Sequence, residues 1–271
     1  MIEENFRRAT PIRIIPRLDI KGKNVIKGVH LEGLRVVGDP KDLAERYYIA
    51  GADEIVYMDA VATLYGRNSI LSTVQTAAEN LFVPLTVGGG VRGIDDIVSA
   101  LRSGADKVAI NTQAIATPDF LREASMAFGS QCITLSVEAK RRSEGKWEAL
   151  TDNGREKTGV DVLDWVRRAE DMGVGEILLT SIDQEGTQTG FEIDLVRRVC
   201  EAVSIPVIAS GGAKTAQDCV DLVEGSDCDA LAIAACLHYG LSEIAEIKAT
   251  LKQAGYAVRE TQPDEFAQVL S

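Results

Sequence analysis

The apolar positions of this chain fall into eight short runs, and a longer segment with helical spacing follows each of them. Short runs rich in Val, Ile, Leu and Ala, bounded by polar or glycine residues, are typical of buried strands. The predicted strands are IRIIPRLDI (12–20), GADEIVYMDA (51–60), LTVGGG (85–90), DKVAIN (106–111), CITLSVEAK (132–140), GEILLTSID (175–183), IPVIASGG (205–212) and DALAIAA (229–235).

Local signals place helices between these runs. Asp39-Pro40 has the form of an N-cap followed by proline at the first helical position, and Gly51 is a natural residue to end that helix. The predicted helices cover residues 39–51, 67–80, 94–103, 117–129, 160–172, 192–203, 216–223 and 241–254.

Two connections are longer than the others. Residues 21–38 are predicted as a long loop, and its length favours a flap that covers substrate over an ordinary solvated loop. Residues 141–159 are polar and are predicted as a hairpin or loop that decorates the next connection.

Eight strand–helix units over this length close most readily as a (β/α)8 barrel, with a doubly wound open sheet as the alternative. An internal repeat favours the barrel. GADEIVYMD (51–59) resembles GVGEILLTS (173–181), and LTVGGG resembles VIASGG (207–212), both at an offset of 122 positions. We therefore expect a TIM barrel built from two similar halves of four units each.

The composition, with 45% hydrophobic and 26% charged residues, is that of a globular protein. One domain over 1–271 is expected, with 1–11 as an N-terminal extension and 260–271 as a peripheral tail. A net charge of −12 without a dense Lys/Arg run argues against nucleic-acid or membrane binding. Five cysteines without a CxxC motif argue against a disulfide framework or structural zinc, and with no signal-like segment a cytoplasmic location is expected.

Two glycine-rich strand ends are candidates for phosphate binding. Gly88, Gly89 and Gly90 end one strand, and Gly211 and Gly212 end another, with Gly211 lying 122 positions after Gly89. Consecutive glycines expose backbone N–H groups and allow an anion to approach closely, although a single such stretch can equally be a tight turn. Because the feature recurs, we expect a substrate with two anionic ends.

In a (β/α)8 barrel the catalytic groups lie at the C-terminal ends of the strands. Asp19 and Glu138 end strands on opposite sides of the ring and suit paired acid–base catalysis, although each could simply cap a loop. Asp59, Asn111 and Asp183 end other strands. The chain shows no metal-ligand cluster and no nucleophile–base pair, so acid–base chemistry without a metal or cofactor is expected.

The opposite ends of the strands also carry charge. Arg13, Glu54, Lys107 and Glu176 each begin a predicted strand. They could form a charged ring across the floor of the barrel, or they could be ordinary salt bridges of little energetic weight.

Across residues 12–259 the sequence resembles the cyclase subunit of imidazole glycerol phosphate synthase. The matching stretches are RLDIKG, VIKG, GDP, TVGGG, GADKVAIN, FGSQ, GEILLTSID, GT and VIASGGA. The resemblance implies a heterodimer with a glutaminase, whose ammonia passes through the barrel to the opposite face. There the ammonia cleaves and cyclises a doubly phosphorylated ribulosyl-formimino carboxamide nucleotide.

The resemblance also implies roles for individual residues. Asp19 corresponds to the family's general acid, and Glu138 takes the place of its second catalytic acid, while Asp106 corresponds to a position near the glutaminase interface. The four floor residues correspond to the family's ammonia gate. Substrate and phosphate contacts are expected at Lys27, Asp59, Gly88, Gly89, Gly90, Asn111, Thr112, Thr180, Asp183, Gly186, Gly211, Gly212 and Ala234.

Several positions depart from the family's pattern. Glu138 stands where the family has aspartate, and Arg17 stands where it has cysteine. Because Arg17 shares a strand face with Asp19, we expect Arg17 to enter the barrel and to pair with Asp19 or Glu138. Near the second phosphate position, Glu185 replaces an aspartate and Ala235 replaces a serine.

These departures leave two alternatives open. A paralogue that delivers ammonia for amidation of a surface-polysaccharide sugar would keep the floor and the partner surface while its substrate site changed. A non-catalytic activator of a glutaminase would need neither acid.

Overall fold

The architecture, taken from a computed structural model, is described for residues 8, 10–60 and 70–260. Eight of the described strands form a closed parallel ring, because the last of them pairs with the first. In ring order they are β1 (Arg13–Lys21), β4 (Ile55–Asp59), β5 (Leu85–Gly88), β6 (Lys107–Ile110), β7 (Ile133–Ser143), β10 (Glu176–Ser181), β11 (Val207–Ser210) and β12 (Ala230–Ile233). The prediction of a (β/α)8 barrel is confirmed.

Helices connect consecutive strands of the ring. The first begins where predicted, since the Asp39 side chain accepts hydrogen bonds from the N–H groups of Lys41 (2.8 Å) and Asp42 (3.3 Å). The helices are α1 (Pro40–Ile49), α2 (Leu71–Ala78), α3 (Ile94–Arg102), α4 (Thr112–Ala116), α5 (Asp119–Phe128), α6 (Val162–Asp171), α7 (Ile193–Ala202), α8 (Ala216–Ser226), α9 (Ala235–His238) and α10 (Ile244–Gln253). No described helix has the length and apolarity needed to cross a membrane.

The helices depart from the sequence prediction at two places. The short helices α4 and α9 were not predicted, because one turn of helix is too short to show a periodic pattern. The helix predicted over 67–80 is observed as α2, and its predicted first residues lie outside the described part of the chain.

The prediction of a long loop over residues 21–38 is wrong, because most of the segment forms strands. The segment is an antiparallel hairpin of β2 (Asn24–Val29) and β3 (Glu32–Gly38), and β2 also pairs with the end of β1. The hairpin turns at His30 and Leu31, whose φ angles of 50° and 65° reverse the chain. We refer to residues 24–38 as the first hairpin.

The polar segment 141–159 forms a hairpin, as one of the two readings predicted. The end of β7 pairs with β8 (Lys146–Thr151), which pairs with β9 (Glu156–Asp161). Trp147 is buried beneath this second hairpin and donates its indole N–H to Glu192 over 2.7 Å. The buried carboxylate of Glu192 thereby ties the hairpin to the start of α7.

The two halves of the barrel repeat each other in register. Ile55 pairs with Leu85 between β4 and β5, and Ile177 pairs with Val207 between β10 and β11, 122 positions later in both strands. Asp19 faces Met58 across the β1–β4 pair, and Glu138 faces Thr180 across the equivalent β7–β10 pair. The fold therefore places Asp19 and Glu138 at matching positions of the two halves.

Two separate layers of apolar side chains stabilise the ring. A large core fills the space between the ring and the helices, and each fully buried Leu or Ile in it contributes about 1.5–3 kcal/mol. A smaller cluster fills the hollow of the barrel above its floor and consists of Ile15, Val56, Leu178, Ile208, Ala230 and Ala232. The second layer separates the charged floor from the polar mouth.

Candidate active site

Two clefts open at the C-terminal ends of the strands. The first, with a volume of about 170 Å³, is lined by residues that include Gly89, Gly90, Asn111, Thr112 and Glu138. The second is much smaller, about 10 Å³, and its lining includes Lys27, Gly186, Gly211, Gly212 and Ala234. The structure thus brings most of the predicted substrate residues together in two groups, one for each half of the barrel.

The glycines of the two clefts have matching geometry. Gly89 has φ +95° and Gly211 has φ +103°, a region that side-chain-bearing residues rarely adopt. A Cβ at Gly89 would lie 2.4 Å from the carbonyl oxygen of Asp59, and one at Gly211 would lie 2.9 Å from that of Ser181. Neither position has room for a side chain, so backbone N–H groups can line each cleft.

Arg17 lies inside the barrel and pairs with Asp19, which confirms that prediction. Its side chain is 3% exposed, and its Nε donates to Asp19 Oδ1 over 2.9 Å. Its Nη1 reaches across the hollow and donates to Thr180 Oγ1 over 2.7 Å. Arg17 also lines the first cleft.

Asp19 lies between the two clefts rather than in the lining of either. Arg17, which contacts it, lines the first cleft, and Lys27, whose Nζ is 3.9 Å from Asp19 Oδ2, lines the second. Burial alone would raise the pKa of Asp19, but the Arg17 and Lys27 charges hold that pKa below its usual value. Asp19 is therefore ionised at neutral pH.

Glu138 is buried but faces the first cleft. Its Oε2 accepts hydrogen bonds from the Asn111 side-chain amide (3.0 Å) and from the Gly154 N–H (2.7 Å). Burial raises the pKa of Glu138 to about 7, against an opposing effect of Arg17. Near neutral pH this carboxyl can therefore either give or take a proton.

The first hairpin is fastened over the second cleft. The ammonium group of buried Lys27 forms an ion pair with Glu185, and burial lowers the pKa of Lys27 to about 8. His30 donates its backbone N–H to the Glu185 carbonyl over 2.7 Å. Gly186 lies so close to this hairpin that a Cβ there would be 2.2 Å from the Gly28 carbonyl oxygen.

The remaining predicted site residues have other surroundings. Asp59 is buried and lines the first cleft. Gly88 packs in the barrel wall, where a Cβ would lie 2.5 Å from Met58 Sδ, and Thr180 lies inside the hollow. Asp183 lies at the rim outside both clefts, where its Oδ1 is 2.5 Å from Lys140 Nζ.

The second hairpin contributes residues that the sequence analysis did not identify. Asp152 and Asn153 line the first cleft, and Gly154 donates to Glu138. Asp152 and Asn153 both have positive φ, at 53° and 57°, so the DNG sequence was the available signal of a tight turn. Pairing of β8 with the end of β7 is what carries that turn over the barrel mouth.

The four charged residues of the floor form a closed ring of ion pairs. Arg13 contacts Glu54 (3.0 Å) and Glu176 (2.5 Å), and Lys107 contacts the same two carboxylates at 2.9 and 2.8 Å. The Thr86 hydroxyl adds a hydrogen bond to Glu54 over 2.6 Å. The ring predicted from the strand starts is therefore present, beneath the apolar layer of the hollow.

Asp106 lies beside this ring, on the exposed underside of the barrel. Its Oδ2 accepts from the N–H of Leu85 over 2.8 Å, which fixes the carboxylate at the base of β5 and β6. The equivalent residue of the other half, Asp229, accepts from the N–H of Val207 over 2.8 Å.

Comparisons with known proteins agree with this geometry. The sequence profile of the family described as "Histidine biosynthesis protein" matches residues 13–243. The imidazole glycerol phosphate synthase subunit HisF of Legionella pneumophila is 62% identical over 201 residues, which cover 74% of this chain and 95% of that protein. The HisF subunit of Corynebacterium diphtheriae is 46% identical over 254 residues, covering 92% and 98% of the two chains. This chain therefore belongs to the HisF family of histidine-biosynthesis proteins, the cyclase subunits of imidazole glycerol phosphate synthase.

Proposed function

We propose that this chain catalyses the ammonia-dependent cyclase reaction of imidazole glycerol phosphate synthase. Its substrate is the doubly phosphorylated ribulosyl-formimino carboxamide nucleotide, and the products are imidazole glycerol phosphate and aminoimidazole carboxamide ribonucleotide. The observation that carries the proposal is the pair of equivalent glycine clefts, the first lined by Glu138 and the two linked by Asp19 through its partners Arg17 and Lys27. A substrate with a phosphate at each end fits two anion sites, and its reacting centre lies between them.

Each cleft offers groups that suit a phosphate. In the first, the backbone around Gly89 and Gly90 lies beside Asn111 and Thr112. In the second, Lys27 is the cation, and its present partner is Glu185. A phosphate that enters the second cleft would replace Glu185 as the partner of Lys27, so binding there is coupled to movement of the first hairpin.

Ammonia reaches the mouth through the hollow of the barrel. The charged floor ring and the apolar layer above it lie in line below Arg17 and Asp19. Uncharged NH3 can pass an apolar layer that excludes ions. A glutaminase bound to the underside, where Asp106 and the Lys107 ammonium lie, would release ammonia directly at the ring.

An assay with purified protein, ammonium salt and the ribulosyl nucleotide tests the proposal. We expect turnover without a glutaminase, and Asp19→Asn should lower it by at least about 10²-fold, because the variant loses a charged acid–base group. Arg197→Ala, which removes a guanidinium from the surface of α7, serves as the control and should leave the rate unchanged. A wild-type protein that leaves the nucleotide intact refutes the proposal.

The replacements at Arg17 and Glu138 favour one alternative function, the delivery of ammonia for amidation of a sugar. In that case the nucleotide is not consumed, and a sugar acceptor stimulates the glutaminase. Stimulation that requires no acceptor would instead identify a non-catalytic activator. The same protein, assayed first with ammonium salt and then with a glutaminase and glutamine, distinguishes all three outcomes.

A further inference from the structure

We propose that Arg17 divides the acid–base work of the site by holding Asp19 as a carboxylate, which leaves Glu138 to carry the exchangeable proton. The catalytic consequence rests on the cyclase function proposed above, whereas the location of the proton does not. The division is the reverse of the role that the family resemblance implies for Asp19. It follows from a side chain that this sequence has in place of the family's cysteine.

The contacts of Arg17 make it a positioning residue for Asp19. Its Nε holds Asp19 Oδ1 at 2.9 Å, while its Nη1 is anchored on Thr180 at 2.7 Å and lies 3.4 Å from the Ser210 hydroxyl. These partners stand on β1, β10 and β11, so the guanidinium is fixed from both sides of the hollow. A fixed cation against a buried carboxylate stabilises its ionised form.

Glu138 has the opposite surroundings. Its two hydrogen-bond donors, Asn111 and Gly154, are neutral, and both contact Oε2. None of the ion pairs among the described residues includes Glu138. A buried carboxyl with neutral partners and one oxygen left for the cleft is a group that retains its proton and can present it to a substrate.

The charged groups around the two acids support the same assignment of the proton. Asp19 is influenced by Arg17, by Lys27 and by His238, and its pKa is lowered although burial acts against this. Glu138 is buried near Arg17, Asp19 and Asp152, and its pKa is raised to about 7 mainly by burial. At neutral pH the exchangeable proton of the pair is therefore on Glu138 rather than on Asp19.

The division matches what addition of ammonia to a carbonyl requires. As the N–C bond forms, the π electrons of the C=O bond move to oxygen and the nitrogen becomes cationic. The Asp19 carboxylate accepts a proton from that nitrogen, and the Glu138 carboxyl donates one to the oxygen. Loss of water then yields the imine: the proton held by Asp19 leaves with the hydroxyl as water, and Glu138 regains a proton from the nitrogen as the C=N bond forms. Atoms and charge therefore balance, and both carboxyl groups return to their starting states without any further reactant.

Carboxyl carbon NMR measures the location of the proton without any need for turnover. Protein labelled with [5-13C]glutamate is titrated, and the Glu138 resonance is identified by its absence in Glu138→Gln. We expect its midpoint near pH 7. With [4-13C]aspartate, the Asp19 resonance, identified by Asp19→Asn, should have its midpoint below the usual range of aspartate. An Asp19 midpoint near neutrality, or an ordinary acidic midpoint for Glu138, overturns the proposal.

Variants of Arg17 test the cause. Arg17→Gln removes the cation and should raise the Asp19 midpoint, whereas Arg17→Lys should keep it low, because a cation remains. An unchanged Asp19 midpoint in a folded Arg17→Gln protein contradicts the positioning role. If Arg17→Gln does not fold, the wild-type titrations and Arg17→Lys still decide the proposal.

A pH profile links the proton to catalysis. The ammonia-dependent rate is corrected for the fraction of ammonia present as NH3. The corrected rate should fall as pH rises through about 7, because Glu138 loses its proton there. The control variant Arg197→Ala should show the same profile. A profile with no such limb in an active enzyme overturns the catalytic role. An inactive wild type with the expected NMR midpoints would refute the cyclase function and leave the proton assignment standing.

Discussion

At the scale of single residues, Arg17 and Glu138 set the electrostatics of the barrel mouth. A cysteine-to-arginine change alone would bury an unpaired cation, which is strongly unfavourable. Here Asp19 neutralises it at 2.9 Å, and the longer side chain of Glu138 is held by Asn111 and Gly154 instead of by Arg17. Arg17, Asp19 and Glu138 therefore form one electrostatic arrangement.

The protonation of Glu138 has a measurable effect on stability. Its pKa is about 7 in the folded protein and near 4.5 in an unfolded chain. Between these values the folded state binds more protons, so the contribution of Glu138 to stability is complete below pH 4.5 and is lost as pH rises through 7. The loss amounts to about 3 kcal/mol.

Glu138→Gln removes this titration while it keeps the size of the side chain. Chemical denaturation at pH 5 and pH 8 should show that the free energy of unfolding of the variant, measured relative to wild type, is about 2–3 kcal/mol more favourable at pH 8 than at pH 5. Glu201→Gln on the surface of α7 controls for general effects of losing a charge and should show no such change. A pH-independent difference between Glu138→Gln and wild type would contradict the raised pKa.

At the scale of elements, two hairpins meet over the barrel mouth. Leu31 at the tip of the first hairpin packs with Leu150 of the second and with Ile182 after β10. This small apolar cluster fixes the turn that contains Gly154, whose N–H contacts Glu138. The position of the acid therefore depends on the packing between two elements that lie outside the ring.

The effect of Gly154→Ala tests this dependence, and Gly159 provides a matched control. Both glycines have φ +75°, so alanine should cost each about 1 kcal/mol of backbone strain. A Cβ at Gly154 would also lie 3.0 Å from Leu31 Cδ1 and 3.1 Å from Ile182 Cδ1, whereas none of the described atoms lies within 4 Å of a Cβ at Gly159.

We expect Gly154→Ala to lower cyclase turnover by about 10-fold or more, because small displacements of a catalytic group are costly. Gly159→Ala should lose similar backbone stability and keep its turnover. Thermal unfolding and steady-state rates measure the two effects. Equal activity of the two variants would show that the turn does not position Glu138.

The elements also show what the sequence could predict. The eight ring strands were predictable because both of their faces are buried, which leaves continuous apolar runs such as ILLTS and VIAS. The first hairpin was not, because Val29 and Val36 are exposed and its pairing depends on the end of β1. The convergence of Asp152 and Gly154 on Glu138 was not predictable either, because it arises from hairpin packing that no local pattern records.

At the scale of the whole molecule, the barrel separates two charged layers by an apolar one. The polar mouth holds two ion pairs, Arg17 with Asp19 and Lys27 with Glu185. The floor also holds two cations and two anions. Closure of the ring by the β1–β12 pair is what brings the floor residues, scattered over more than half of the chain, within ion-pair distance. The polar mouth and the charged floor are thus two ends of one closed sheet.

The balance of charge in the floor gives the last prediction. Lys107→Met leaves Arg13 as the single described cation in contact with Glu54 and Glu176, whose side chains are 2% and 9% exposed. Loss of one partner from a buried ion-pair network is strongly destabilising, and since the Lys107 side chain is 18% exposed we expect a cost of about 2 kcal/mol.

Lys140→Met breaks the rim ion pair with Asp183, in which both side chains are about a third exposed, and should cost less than about 1 kcal/mol. Restoring the balance with Lys107→Met/Glu176→Gln should recover part of the loss, and chemical denaturation of the four proteins measures it. If the ring also gates ammonia, Lys107→Met should change glutamine-dependent turnover in the glutaminase complex far more than turnover with ammonium salt. Equal stability of the Lys107 and Lys140 variants would mean that the floor ring is solvated and cannot form a closed seal.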